Sequence, residues 1–343
     1  VMNGVPRMLT FRSTVWQAFQ RLHPGALSGY EGYTLPDAPA PPGERDVLRT
    51  FSTEWGGYGW DEKTYWAYTP DYLYRCMDWL LNLRNHPVRG KLLLEVGIGV
   101  GGIADHFARN RECEVIGIDL SLAVDAAHRH FGNNPNLHVV QASVFNPPFR
   151  NGTFDLAYSQ GALHHTFSPR KAFDSMASLV KPAGAAYVWL YRKESRRGSG
   201  LRRIQAFVES LTRPVISRLP APLQTLALMP AVPMYVVYRN AIAARSRPGA
   251  VRYSLRDALH AARDRFTHRF ASRHTYDEVA GWFMENGFDR LEFAADREDR
   301  SDIDPNFYLN VGILGFRPSG LESGIFADSN TTTKPARWKE ITD

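Results

Sequence analysis

Three closely spaced glycines follow a short apolar run near residue 95. The segment reads Glu95-Val-Gly97-Ile-Gly99-Val-Gly101-Gly, and glycine lets a backbone approach a ligand closely because no side chain blocks the way. Glu95 stands at the end of the apolar run, where a carboxylate would attract an ammonium group and repel phosphates. Since the glycines also satisfy G-x-G-x-x-G, a nicotinamide dinucleotide stays an alternative ligand.

A second acidic residue, Asp119, ends the next apolar run. At this position a carboxylate accepts hydrogen bonds from both hydroxyls of a ribose, which serves either kind of cofactor. Asp119 therefore predicts an adenosine-containing ligand without choosing between the two. A purely structural role, with the glycines in tight turns and Asp119 as a helix cap, is the alternative.

Histidines supply the candidate acid-base groups. His164 and His165 follow the fourth apolar run, at the edge where parallel sheets bind acceptors, and imidazole is the usual general base near neutral pH. Packing at a helix start is their alternative role. His274 and Asp264 are predicted to contact an acceptor, with plain packing as the alternative. Adjacent histidines point apart and no third ligand is evident, so no metal site is predicted.

Short apolar runs alternate with helical patterns from residue 91 onward, which is typical of a parallel sheet with crossover helices. We predict strands at 91–96, 114–119, 137–142, 154–159, 185–191, 288–295 and 307–316, and helices at 101–110, 121–131, 169–180 and 275–286. The predicted fold is α/β: a Rossmann-like, doubly wound, seven-stranded and mostly parallel sheet with a helical lid insertion.

The segment before this core, residues 1–84, is predicted to be a lead-in followed by an aromatic cap. Prolines and a glycine concentrated at 35–43 predict irregular chain up to about residue 50. Aromatic residues then cluster at 51–79. There Trp55, Tyr58 and Tyr65 could lie across the cofactor pocket and contact substrate. A hydrophobic cap on the core is the alternative.

The insertion at 194–272 separates two parts of the core, 85–193 and 273–318. From Arg192 to Arg273 there are 17 Lys and Arg against 4 Asp and Glu, a net charge of +13 in a chain whose total is +6. This asymmetry favours an anionic partner or a solvated basic face. Residues 219–238 carry no charge, but four prolines argue against a membrane span. We predict bent helices that form a lid and could touch a bilayer. The tail at 319–343 is predicted to be disordered.

Cysteine content bounds the cellular setting. The two cysteines are far apart, which excludes a disulfide framework or a cysteine zinc site and favours a reducing, cytoplasmic setting. The first residues lack the basic-then-apolar pattern of a signal peptide. No nucleic-acid partner is expected, because the segment after the fourth apolar run lacks the Asn-Pro-Pro-Tyr type of catalytic signature.

Five segments in order resemble the consecutive motifs of class I S-adenosylmethionine-dependent methyltransferases, especially bacterial enzymes that act on small molecules. They begin at Glu95, Ile116, Val140, Phe154 and Leu179, and they cover 90–192 densely. The resemblance implies S-adenosyl-L-methionine as cofactor and S-adenosyl-L-homocysteine as product.

The resemblance also implies roles for individual residues. The methionine portion would be contacted by Glu95, Gly97 and Gly99, the ribose by Asp119, and the adenine by Leu120, Ser143 and Val144, with Ser159 and Gln160 beneath the methionine portion. Relatives usually carry aspartate where Ser143 stands. A serine hydroxyl can still accept a hydrogen bond from the adenine amino group, with less charge assistance.

The sequence thus predicts a methyltransferase for a small-molecule acceptor, most simply by O-methylation of a partly apolar metabolite that is neutral or anionic. C- or N-methylation of a natural product or lipid-linked substrate is the alternative within this class. A NAD-dependent oxidoreductase and a noncatalytic nucleoside-binding protein are the alternatives from other classes. The oligomeric state stays open.

Overall fold

The computed structural model describes residues 1–22, 25, 36–56, 68–193, 200–246 and 252–319. Within these ranges the chain forms one seven-stranded sheet with helices on both faces and further helices above one edge.

The sheet has the strand order β3-β2-β1-β4-β5-β7-β6. Its strands are β1 (Leu92–Val96), β2 (Glu114–Asp119), β3 (Leu137–Gln141), β4 (Phe154–Gln160), β5 (Val180–Leu190), β6 (Arg290–Phe293) and β7 (Val311–Phe316). The first five pair in parallel, and β7 runs antiparallel to both β5 and β6. The predicted α/β, mostly parallel, Rossmann-like sheet is confirmed. The order reverses next to β1, where doubly wound sheets form a crevice at the carboxyl ends of their strands.

Helices cover both faces of the sheet because its parallel strands are apolar on both sides. The core helices are α3 (Pro70–Leu80), α4 (Gly102–Asn110), α5 (Ala123–Phe131), α6 (Pro169–Ser178) and α11 (Tyr276–Glu285). On one face Met77 and Phe107 belong to the buried cluster formed with α3, α4 and α5. On the other face Phe173 and Phe283 belong to the cluster formed with α6 and α11.

Four helices stand between β5 and α11, in the predicted insertion. They are α7 (Gly200–Ile216), α8 (Ala221–Leu228), α9 (Val232–Ser246) and α10 (Leu255–Phe266); we call them the lid. The uncharged stretch at 219–238 is divided between α8, a short 3₁₀ turn and α9, because its prolines cannot continue a helix. No helix among the described residues is long and apolar enough to cross a membrane.

The N-terminal segment differs from the irregular chain predicted up to residue 50. It contains α1 (Thr14–Leu22) and α2 (Pro42–Gly56). The physical reason is that a proline can begin a helix: Pro42 is the first residue of α2, where its fixed φ suits a helix and its missing N–H costs nothing. This correction matters because α2 contributes to the candidate site.

The last predicted strand also differs from the structure. Residues at the start of 307–316 belong to a short helix, α12 (Pro305–Leu309), and β7 begins only at Val311. Asp304 causes this start, since its side chain accepts a hydrogen bond from the backbone N–H of Asn306 at 2.8 Å. Of the tail predicted to be disordered, residues 320–343 lie outside the described part of the chain.

Candidate active site

A cavity of about 390 Å³ opens at the carboxyl ends of the parallel strands. Its walls come from the loop after β1, the ends of β2 and β4, helix α2 and the lid. The lining is mostly apolar, with several aromatic rings, and it includes the carboxylates of Glu44, Asp119 and Asp264. This is the position at which doubly wound sheets bind their ligands.

The glycine segment forms the floor of the cavity. Gly97 and Gly99 line it, with φ of +84° and +54°, a region that residues with a side chain seldom occupy. The N–H groups of Gly97 and Ile98 both donate to the carbonyl of Ile118, which ties the loop to β2. Gly101 is the cap of α4 and does not line the cavity; a Cβ there would press on Ala127 of α5.

Asp119 lies at the end of β2 and lines the cavity, as the ribose contact requires. One carboxylate oxygen accepts from the N–H of Gly99 at 3.1 Å, and the other accepts from the N–H and hydroxyl of Ser121. Burial raises the pKa of Asp119, while these hydrogen bonds oppose the rise. Asp119 thus couples the glycine loop to the start of α5.

Glu95 occupies a different place from the predicted contact with an ammonium group. Its side chain is buried and is not part of the cavity wall. It accepts a hydrogen bond from the hydroxyl of Tyr158 at 2.9 Å and one from the backbone of Ala104. Because side chains alternate along a strand, Glu95 lies on the face covered by α4, and its neighbour Val96 lines the cavity. Glu95 therefore supports the loop from behind.

The stability of the Glu95→Gln variant should fall less than that of the unchanged protein as pH rises. Burial raises the pKa of Glu95 to about 8, from an ordinary value of 4.5. Between these values the unfolded chain loses the proton while the folded chain keeps it, so stability falls as pH rises. We expect glutamine to remove roughly 3 kcal/mol of this loss between about pH 5 and about pH 8. Urea unfolding at both pH values measures it.

The exposed Glu298 provides the control for that experiment. The Glu298→Gln variant should keep the slope of stability against pH of the unchanged protein. Equal slopes for all three proteins would show that Glu95 is already ionised in the folded state.

The predicted adenine contacts bring in a residue that the sequence did not suggest. Leu120, Ser143 and Val144 line the cavity, as expected from the motif order. The hydroxyl of Ser143 donates to the carboxylate of Glu44, which reaches over from α2 and also lines the cavity. Burial raises the pKa of Glu44, and the bond from Ser143 opposes this. Glu44 therefore supplies a carboxylate next to Ser143, where relatives usually carry an aspartate.

The two residues at the end of β4 have different surroundings. Gln160 lines the cavity and accepts a hydrogen bond from the hydroxyl of Tyr187 at 3.3 Å. Ser159 is fully buried and its hydroxyl donates to the carbonyl of Val96 at 2.8 Å. Ser159 therefore joins β4 to β1 and is not part of the cavity wall.

His165 and Asp264 lie next to each other, and both line the cavity. Nδ1 of His165 lies 3.0 Å from the carbonyl oxygen of Phe270, so this nitrogen carries the proton and Nε2 keeps a lone pair. Nε2 is 3.6 Å from Asp264, which accepts a hydrogen bond from the hydroxyl of Tyr191. Burial lowers the pKa of His165 to about 4, although Asp264 raises it. The imidazole is neutral at physiological pH and can accept a proton.

The other two predicted histidines lie outside the cavity wall. His164 is fully buried, its pKa is lowered well below the usual value by burial, and neither ring nitrogen has a hydrogen-bond partner among the described residues. His274 lies 2.8 Å from the hydroxyl of Ser272 and 2.9 Å from the carboxylate of Glu278. These contacts occupy both its nitrogens, so His274 orders the start of α11 and is not part of the cavity wall.

A buried pair behind His165 is also absent from the sequence-based prediction. Nε2 of His268 lies 2.5 Å from Glu54 of α2, and its Nδ1 lies 3.1 Å from the hydroxyl of Thr50. That hydroxyl donates to a backbone carbonyl, so it accepts from Nδ1 and leaves Nε2 unprotonated. Burial raises the pKa of Glu54, which places the shared proton on this carboxyl.

Glu54, Asp264 and His268 bring their donor atoms within 4.8 Å of one another, a spacing compatible with a metal ion. Among the described residues it is the only group of three such side chains with this spacing. We assign the Glu54–His268 contact to a proton, because the hydrogen bond between the two side chains already uses their facing lone pairs.

The aromatic cap is present in part. Trp55 is buried and lines the cavity, whereas Tyr58 and Tyr65 lie outside the described residues. Further rings complete the wall, from Phe51, Tyr68, Trp189, Tyr191, Tyr253 and Phe307. Arg239 of α9 also lines the cavity, with its guanidinium 4.8 Å from the ring centre of Tyr253.

A strand, a glycine loop, an acidic strand end and a crevice at the switch point together define a nucleoside-binding α/β domain. Comparison with known proteins specifies its class, because residues 94–188 match the family described as a methyltransferase domain. The chain therefore carries a class I, S-adenosylmethionine-dependent methyltransferase domain. The lid and α2 lie outside the matched residues.

Curated relatives resemble the same part of the chain. A ubiquinone biosynthesis O-methyltransferase of Albidiferax ferrireducens is 35% identical over 32% of this chain and 43% of its own length. A sterol 24-C-methyltransferase of Saccharomyces cerevisiae is 32% identical, over 30% and 28%. A phosphoethanolamine N-methyltransferase of Caenorhabditis elegans is 28% identical, over 30% and 24%. This chain thus spans less than half the length of these relatives, whose names cover oxygen, carbon and nitrogen acceptors.

Proposed function

We propose that this protein transfers a methyl group from S-adenosyl-L-methionine to an oxygen of a small, partly apolar acceptor that carries a negative charge. The observation that supports this most is a single cavity joining the glycine loop and Asp119 to the neutral His165 beside Asp264. A cofactor site and a candidate base therefore share one cavity.

The cofactor half fits S-adenosyl-L-methionine by the chemistry of its walls. Gly97 and Gly99 leave room for the methionine portion, and Asp119 offers carboxylate oxygens to the ribose. Leu120 and Val144 offer apolar contacts to the adenine ring. We infer that Glu44 accepts a hydrogen bond from the adenine amino group, since the hydrogen bond from Ser143 holds the carboxylate at this edge.

The acceptor half is apolar with two charged groups. Trp55, Trp189 and Phe307 provide flat apolar walls, while Asp264 and Arg239 provide charge of opposite sign. Arg239 suits an anionic group on the acceptor, because a guanidinium binds carboxylate or phosphate oxygens in a paired geometry. The aromatic rings suit a planar or lipid-like body.

S-adenosyl-L-methionine supplies a methyl group that its positive sulfur already activates for displacement. The protein's tasks are then alignment, exclusion of water and removal of the acceptor proton. As the acceptor oxygen forms its bond to the methyl carbon, the carbon–sulfur bond would break to release S-adenosyl-L-homocysteine, and Nε2 of His165 takes the hydroxyl proton. Asp264 stabilises the imidazolium that results, and Tyr191 holds Asp264 in place.

N-methylation is the second candidate, supported by one observation. The carboxylate of Asp264 stands in a cavity rich in aromatic rings, and this combination also suits an ammonium group. An amine is nucleophilic without a base once it has lost its proton. The two candidates therefore differ in how strongly they need His165.

The test is single-turnover transfer from methyl-labelled cofactor to fractionated metabolites, with mass spectrometry of any product that gains a methyl group. We expect an O-methylated product with an anionic group, and the Arg239→Met variant should raise KM for that acceptor while the cofactor affinity stays unchanged. A methylamine product would replace our assignment with the second candidate. Cofactor binding without transfer to any fraction would indicate a noncatalytic nucleoside-binding protein.

A further inference from the structure

The lid exposes apolar side chains that a folded protein usually buries. They lie on three helices of the lid and include Phe207, Leu211 and Val215 of α7, Leu223 and Leu226 of α8, and Met234, Val237 and Tyr238 of α9. Met234 is 77% exposed, Val237 70% and Leu226 69%. Spacings of three, four and eight residues place the members of each helix on one side of it. We call this set the outer lid surface.

The inner side of α7 has the opposite polarity. Glu209 is only 3% exposed, and its carboxylate contacts Arg213, Arg265 and Arg273. A helix of a water-soluble domain normally places charge outward and apolar residues inward. Here the neighbours Phe207 and Leu211 face outward and the charged Glu209 faces inward. This reversed polarity indicates that the outer side of α7 contacts an apolar environment.

The segment that contains this apolar surface is strongly basic. The segment from Arg192 to Arg273 carries a net charge of +13. Arg218 follows α7, and Arg252 and Arg256 flank the start of α10, all three exposed. Exposed apolar side chains on a strongly basic segment suit the interface of an anionic bilayer, where apolar side chains enter the acyl region and arginines meet lipid phosphates.

We propose that the outer lid surface docks onto an anionic membrane, with α7, α8 and α9 lying in the plane of the interface. This contact is peripheral, since no helix of the described residues is long and apolar enough to cross a bilayer. A second copy of the chain would cover the apolar side chains equally well. The basic character of the lid argues against it, because two copies would bring like charges together, among them the exposed Arg218, Arg252 and Arg256 of each copy.

Docking would place the cavity close to the bilayer. Arg239 belongs to α9 and lines the cavity, while Val237 and Tyr238 of the same helix are exposed on the outer lid surface. One helix thus separates the acceptor half from the proposed membrane contact. The docking itself does not depend on the proposed reaction and is measured without cofactor.

The experiment is flotation of the full chain with vesicles of phosphatidylcholine alone or of phosphatidylcholine mixed with phosphatidylglycerol. We expect binding to the mixed vesicles that salt weakens, and at least tenfold weaker binding to the neutral ones. The double variant Leu226→Ser/Met234→Ser should bind the mixed vesicles at least tenfold more weakly, because it removes two apolar anchors.

The matched control is the double variant Met8→Ser/Met284→Ser, which removes two half-exposed methionines elsewhere on the surface. It should bind like the unchanged protein, and circular dichroism confirms that both variants are folded. Binding to neither vesicle, equal binding to both, or no difference between the two double variants would overturn the proposal. Sedimentation showing a dimer that only the lid variant dissociates would assign the surface to a second copy instead.

Discussion

The Gly97→Ala variant is expected to lose most of its cofactor affinity while the protein stays folded. Gly97 has a φ of +84°, and an added Cβ would lie 2.3 Å from the Cβ of Ala162, which follows β4. Positive φ costs a residue with a side chain roughly 1 to 2 kcal/mol, and overpacking costs roughly 1 to 3 kcal/mol more. The loop can relieve both only by moving, which displaces the floor of the cofactor site.

We therefore expect the dissociation constant for S-adenosyl-L-homocysteine to rise roughly 30- to 100-fold, as measured by calorimetry. Gly287 supplies a matched control, because its φ is +79° and an added Cβ there would meet nothing within 4 Å. The Gly287→Ala variant should lose about 1 kcal/mol of stability and keep its cofactor affinity. Unchanged affinity in Gly97→Ala would place the cofactor elsewhere.

The His165→Gln variant is expected to lose between about a hundredfold and ten thousandfold in kcat, with the cofactor affinity unchanged. Nε2 of His165 carries a lone pair that can take a proton from an acceptor in the cavity, and a glutamine side chain has no such base. Single-turnover transfer to the acceptor measures the effect. The His138→Gln variant, which changes a half-exposed histidine of β3, should transfer normally. Normal transfer by His165→Gln would favour an amine acceptor.

The pH dependence of the unchanged protein provides a second measurement of this prediction. With the pKa of His165 lowered to about 4, the base stays neutral through the physiological range. We expect no loss of kcat/KM from this group as pH falls from about 8 to about 5. A half-maximal rate near pH 6.5 would instead indicate a histidine with its ordinary pKa.

The lowered pKa also affects stability in acid. An unfolded His165 binds a proton below about pH 6.5, whereas the folded one does so only near pH 4, so the folded state is weakened as pH falls through that window. The rate should therefore be measured on protein that circular dichroism shows to be folded at each pH.

Much of the core follows from local patterns in the chain. Strands and helices between residues 91 and 192 were predictable because buried parallel strands form short apolar runs, and the glycines at 97 and 99 follow one directly. Asp119 was predictable for the same reason, since it ends a strand whose carboxyl end faces the cavity. The conclusion that these residues form a nucleoside site needs only the order of elements and the rule for doubly wound sheets.

The sequence predicted less well to which face of the sheet each strand side chain points. Alternation shows that Glu95 and Val96 face opposite sides, but the packing of α4 decides which side is the cavity. The same holds for His164 and His165, adjacent residues of which one is sealed in the core and the other reaches the cavity. Local spacing cannot distinguish them, because both sit in one short 3₁₀ turn.

By itself the sequence determined the α/β core, the glycine loop and the acidic strand ends, since these depend on neighbours within a few residues. Tertiary structure alone decided that Glu44 and Glu54 of α2 contact Ser143 and His268, because the residues of those pairs are 99 and 214 positions apart in the chain. It also decided that the apolar side of the lid faces outward. Contacts between distant segments depend on how the helices pack. The pattern of residues within one helix does not predict which side of that helix other segments will cover.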